Sequence, residues 1–144
     1  MNKILSILLG LSIFFYQNAC TVPATSAEVN DASVQETGVA KDISAPQFET
    51  YIKEKQNALI LDVRTPGEIA EGYLEGAVNI DFSDAEFKNN IQKLDKSKPV
   101  LVYCRSGRRS ATTMNYMRDM GFAEVYNLDG GIIAWTKAGF SIIK

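Results

Sequence analysis

The stretch VLVYCRSGRRSATTMNYM, Val100–Met117, reads as a strand, a turn and a helix in succession. It opens as a continuous apolar run with no polar alternation, the pattern of a strand covered on both sides, as in a parallel sheet. The turn RSGRR (105–109) follows. SATTMNYMRDMGF (110–122) then reads as a helix ending near Gly121. Met114, Met117 and Met120 share one helical face, which indicates core packing rather than a cofactor site. Cys104 therefore falls at the carboxyl end of a strand, just before a helix, where open α/β sheets bind ligands.

The neighbouring sequence repeats this alternation. Upstream, DISAPQFETYIKEKQN (42–57) carries a capping-box pattern, Ser44 with Gln47, and Pro46 in the first turn. Phe48, Tyr51 and Ile52 then lie on one face of a short helix. ALILDV (58–63) is a second unalternating apolar run. TPGE (65–68) breaks it before a short helical turn, and GAVNI (76–80) reads as a brief strand. Ser83 is a candidate N-cap for a helix carrying Phe87, Ile91 and Leu94. Downstream, AEVYNL (123–128) is a strand, DGG (129–131) a turn, and IIAWTKAG (132–139) a last helix closed by Gly139. Trp135 and the DGG turn read as fold elements. The whole implies an α/β domain: a small, mostly parallel sheet flanked by helices on both faces, with right-handed crossovers.

The turn after Cys104 has a composition that a packed core does not explain. Three of the chain's five arginines, Arg105, Arg108 and Arg109, lie within five positions of Cys104. Cations at a helix start oppose its dipole, so a purely structural role would cost stability. A thiolate gains from the same groups: a free thiol titrates at about 8.5, and at about 3.5–7.5 beside cations or helix N-termini. Gly107 permits a positive φ that curls the loop amides inward as an anion-binding nest. The chain contains no histidine, which removes Ser-His-Asp and Cys-His catalysis and histidine metal sites. Any chemistry at Cys104 must proceed without an imidazole.

LDVRTPGEIAEGYLEGAVNI (61–80), CRSGRRS (104–110) and LDGGIIAWTKAGF (128–140), in this order, resemble the signatures of the single-domain rhodanese (thiosulfate sulfurtransferase) family over residues 43–144. Tyr73 departs from the first signature, which usually has histidine there. The resemblance implies a parallel sheet flanked by helices and transfer of a sulfane sulfur through a persulfide on Cys104. It implies no cofactor and no metal. Arg105, Ser106, Gly107, Arg108 and Arg109 would cradle the substrate. Asp62 and Arg64 would be supporting residues that fix the loop, although an ordinary ion pair is the simpler reading of both. The partners implied are a small anionic sulfur donor and a thiol or cyanide acceptor, with a protein acceptor as the alternative.

Two rival functions remain. One is a sulfur-carrier or binding module without fast turnover. The other is a cysteine-dependent phosphatase or arsenate reductase, whose loops place arginine six positions after the cysteine to grip phosphate bidentately. Here that position is Ser110. A self-contained dithiol oxidoreductase is disfavoured, because Cys104 would have no resolving thiol.

The N-terminus suggests export. Lys3 precedes an apolar run, Ile4–Tyr16, of signal-peptide length and short of a membrane span. Residues 1–20 read as a signal peptide ending in Asn18-Ala19-Cys20, which resembles a lipobox with Cys20 as the lipidated residue. The alternative cut is after Ala27. Residues 21–42 read as a flexible tether, poor in bulk and with only acidic charges up to residue 40. The expected location is periplasmic or cell-envelope, lipid-anchored through Cys20, or otherwise soluble and secreted. The chain holds 15 cations and 17 anions, and from Lys41 onward 14 of each. The domain thus has no basic field for nucleic acid, and the arginine cluster is local.

Overall fold

The computed structural model describes residues 38–144. Five strands, β1 (Val39–Ile43), β2 (Leu59–Asp62), β3 (Val78–Asn79), β4 (Val100–Tyr103) and β5 (Glu124–Leu128), form one sheet in the order β1-β5-β4-β2-β3. Every strand pair is parallel. The helices are α1 (Ala45–Glu54), α2 (Pro66–Ile69), α3 (Phe87–Gln92), α4 (Arg108–Asp119) and α5 (Gly131–Lys137).

The two apolar runs occupy the middle of the sheet because both of their faces are covered. On one face Leu61, Val100, Val102 and Val125 pack with Phe87 and Ile91 of α3 and Met114 and Met117 of α4. On the other, Leu101, Tyr103, Tyr126 and Leu128 pack with Phe48 of α1 and Ile132 and Trp135 of α5. The expected α/β architecture, with helices on both faces, is the one observed. Met114 and Met117 are core residues, and Met120 is partly buried against the same cluster.

Two boundaries differ from expectation. Val39–Asp42 lie within the segment assigned to the tether, yet they pair with β5 as the sheet's edge. Val39, Lys41 and Asp42 are exposed, so backbone hydrogen bonds hold β1 and the sequence carries no apolar run to announce it. The helix expected from Ser83 begins only at Phe87. Asp81 accepts from the Ser83 amide and hydroxyl, and Asp84 from the Glu86 amide. These two side-chain turns hold residues 81–86 in non-helical form. At α1 the anticipated cap is present: Gln47 Oε1 accepts from both the amide and the hydroxyl of Ser44.

Tyr73, which stands where the resembling family has histidine, pairs its backbone with Ile143 in an isolated antiparallel bridge that fastens the C-terminal tail. Among the described residues no helix is long and apolar enough to cross a membrane. The expected signal peptide, its cleavage points, Cys20 and most of the tether lie outside the described residues.

Candidate functional site

The carboxyl ends of β2 and β4 carry the residues singled out from the sequence. β4 ends at Tyr103, and Cys104 follows at 1% exposure. The next three residues arch back toward it. Gly107, at φ +89°, is the N-cap of α4, and its amide donates to Cys104 Sγ at 3.2 Å. Its carbonyl is fixed by the Ala111 amide at 2.9 Å, the Ser110 hydroxyl at 3.0 Å and Asn127 Nδ2 at 3.3 Å. The Ser110 hydroxyl also lies 3.4 Å from the sulfur.

Burial pushes the Cys104 thiol up. The Ser110 hydroxyl and the amides of Ser110, Ser106 and Gly107 outweigh that, and the thiol lies below its ordinary value. The groups that favour the thiolate most are thus peptide N–H groups and one hydroxyl, the inward-curled nest expected of this loop. The arginines divide. Arg105 and Arg108 are exposed. Arg109 donates through Nη2 to Glu68 Oε1 at 2.6 Å, with the Cys104 thiolate a weaker influence favouring its charged form.

Glu68 also caps α2. Its Oε2 accepts from the amide and hydroxyl of Thr65 at 3.0 and 3.1 Å. The hydrogen bond from Arg109, opposed by burial and helped by Thr65, holds its carboxyl at about 2. One carboxylate therefore ties the turn after β2 to the first turn of α4.

Asp62 and Arg64 form a buried pair beneath this link. Arg64 Nη2 donates to Asp62 Oδ2 at 2.6 Å, and Arg64 Nε contacts both carboxylate oxygens at 3.0 Å. The remaining guanidinium donors reach the carbonyls of Glu68 at 3.1 Å and Gly72 at 2.8 Å. The guanidinium also stacks 5.5 Å from the Tyr103 ring centroid. This network fixes the chain from 62 to 72, including the turn that bears Glu68, and does not touch the sulfur directly.

Cys104 and its loop were legible in the sequence; three further contributors to the site were not singled out. Ser110 was legible only as the place where a phosphatase arginine is missing. Glu68 carried a readable sign, since Thr65-Pro-Gly-Glu68 is itself a capping box. The first-turn amides of α5, which bond the carbonyls of Cys104 and Arg105, carried none. Among the described residues no group of three or more His, Cys, Asp or Glu side chains is placed to hold a metal ion.

Comparison with known proteins agrees with this architecture. Residues 44–138 match the model of the rhodanese-like domain. A sulfurtransferase of Allochromatium vinosum is 31% identical over 105 residues, covering 73% of this chain and 96% of the relative. A thiosulfate sulfurtransferase GlpE of Pseudomonas putida is 34% identical over 91 residues, covering 62% and 80%. Among solved structures, a rhodanese-related protein from Thermoplasma volcanium superposes with a TM-score of 0.63 at 29% identity, covering 72% of this chain and 97% of the other. The fold, the site and these relatives agree: the chain belongs to the rhodanese-like family.

Proposed function

We propose that the protein is a sulfurtransferase that carries a sulfane sulfur as a persulfide on Cys104. The observation that carries this reading is that the Gly107 amide, at 3.2 Å, and the Ser110 hydroxyl, at 3.4 Å, converge on one buried sulfur, with the Ser106 and Ser110 amides also favouring its thiolate. Such a setting favours an anionic sulfur without a general base, as a chain lacking histidine requires.

In the first half-reaction the Cys104 thiolate attacks the outer sulfur of thiosulfate. The Sγ–S bond forms, the S–S bond of the donor breaks, and sulfite leaves with the bonding pair. In the second, a thiophilic acceptor such as cyanide attacks the outer sulfur of the persulfide. Thiocyanate leaves and the thiolate is restored. Charge balances in both steps. The amides that hold the thiolate can follow the charge onto the outer sulfur, which is preorganised electrostatic stabilisation. Burial of Cys104 favours a donor that presents a single terminal sulfur. Arg105 and Arg108, exposed at the loop, supply positive charge for an anionic donor, whereas the charge of Arg109 is balanced by Glu68. The relatives' printed names support sulfur transfer, and GlpE supports thiosulfate as donor.

The test is steady-state thiocyanate formation from thiosulfate and cyanide. Turnover that disappears in Cys104→Ser supports an enzyme acting on small molecules. Loading without turnover favours a carrier that passes sulfur to a protein. Hydrolysis of an aryl phosphate in place of either overturns the reading. For location, we propose an exported, lipid-anchored form, supported by the apolar run Ile4–Tyr16 and Asn18-Ala19-Cys20. Release of the protein from the membrane fraction by Cys20→Ser tests it.

A further inference from the structure

The backbone of the active loop rests directly on the turn between β5 and α5. Ile132 donates its amide to Cys104 O at 2.9 Å, and Ile133 donates its amide to Arg105 O at 3.3 Å. In a trans peptide the C=O and N–H point in opposite directions. The peptide joining Arg105 to Ser106 therefore has its carbonyl on α5 and its N–H turned the other way. That N–H belongs to Ser106, one of the amides that favours the Cys104 thiolate. The peptide joining Cys104 to Arg105 is held in the same manner, with the Arg105 N–H facing away from α5.

This seating requires that nothing project from residue 131. Gly131 sits at φ +60°, and a Cβ there would lie 2.4 Å from Cys104 O, 2.5 Å from Arg105 O and 2.6 Å from Arg105 C. All three are backbone atoms, so no side-chain rotamer relieves the contact. Gly107 meets the same turn from the other side, where a Cβ would lie 2.9 Å from Gly130 N and 3.2 Å from Leu128 O. Two backbones touch, and glycine on each side lets them.

We propose that Gly131 is a positioning residue for Cys104: its bare Cα lets the first-turn amides of α5 hold the Cys104 and Arg105 carbonyls, which aims the Ser106 amide at the sulfur. The inference rests on the reading of Cys104 as the nucleophile and deepens it. The thiolate is supported by two segments far apart in sequence, and the Asp-Gly-Gly turn tunes the reactivity of a cysteine that its own side chains do not touch.

The test is the pH dependence of Cys104 alkylation by iodoacetamide in the full chain, followed at the Cys104 peptide by mass spectrometry so that Cys20 does not contribute. Wild-type Cys104 titrates below an ordinary thiol. Gly131→Ala moves the titration up toward about 8.5, which slows alkylation at pH 7 by up to about tenfold. Gly139→Ala is the strain control. It lies at φ +85° with no atom within 4 Å of its added Cβ, so it lowers the melting temperature and leaves the titration unchanged. Ile133→Pro removes the donor to Arg105 at an exposed first-turn position and moves the titration in the same direction, which keeps the inference testable if Gly131→Ala does not fold. A folded Gly131→Ala or Ile133→Pro protein that titrates with wild type overturns the inference, as does an equal change in Gly139→Ala. Wild-type Cys104 titrating as an ordinary thiol instead overturns the underlying reading, and this inference with it.

Discussion

Glu68 Oε1 accepts a 2.6 Å hydrogen bond from Arg109 Nη2, across 41 positions of sequence. The carboxyl is held at about 2, below its ordinary 4.5, so its folded value lies below its unfolded one. The stability it contributes is complete above about pH 4.5 and is lost as pH falls toward 2. Both side chains are about a quarter exposed, so solvent screening reduces the contribution to about 1 kcal/mol. Glu68→Gln flattens the fall in urea-unfolding stability between pH 4.5 and 2.5. An unchanged slope assigns the acid sensitivity to other carboxylates.

Ser110 replaces the arginine of a phosphate-gripping loop with a hydroxyl that bears on the sulfur. Ser110→Ala removes the one hydroxyl proton that the thiolate and the Gly107 carbonyl share. The Cys104 thiol then titrates higher, and alkylation at pH 7 slows several-fold. The loss of stability is about 1 kcal/mol, read from a thermal or urea melt. Faster alkylation contradicts this role.

The Asp62–Arg64 pair is nearly inaccessible, with side-chain exposures of 2% and 3%. Removing one partner leaves a buried charge without its complement, so Asp62→Ala destabilises by about 3–5 kcal/mol. Replacing both with apolar residues recovers part of that loss, and a double-mutant cycle by chemical denaturation measures the coupling.

Met117 is fully buried between α4 and the sheet. As a core residue, its truncation to alanine costs about 2–5 kcal/mol in chemical denaturation. The alkylation titration of Cys104 moves less than it does in Ser110→Ala, because Met117 shares the core cluster with Cys104 but offers the sulfur no hydrogen-bond donor. An equal or larger change in that titration would mean that α4 transmits packing changes to the loop.

The legible parts of the molecule are those in which side-chain chemistry carries the signal. β2 and β4 stood out because central parallel strands are apolar on both faces, and the Cys104 loop stood out because arginines and glycine crowd one thiol. β1 was hidden because an edge strand held through backbone hydrogen bonds can be polar. The start of α3 was displaced because the Ser83 hydroxyl is engaged by Asp81 and the Glu86 amide, which Ser83 would have capped, is taken by Asp84. Arg109 read as part of the substrate cradle, and its pairing with Glu68 was hidden because that partner lies on another segment. The amides of Ile132 and Ile133 left no trace, since every residue but proline has such a group and only the fold aims it.

If Cys104 carries the transferred sulfur, the mass of the intact protein records it after incubation with thiosulfate. Wild type gains the mass of one sulfur atom, cyanide removes it as thiocyanate, and Cys104→Ser gains nothing. An unchanged wild-type mass, or an equal gain in Cys104→Ser, contradicts that role for Cys104.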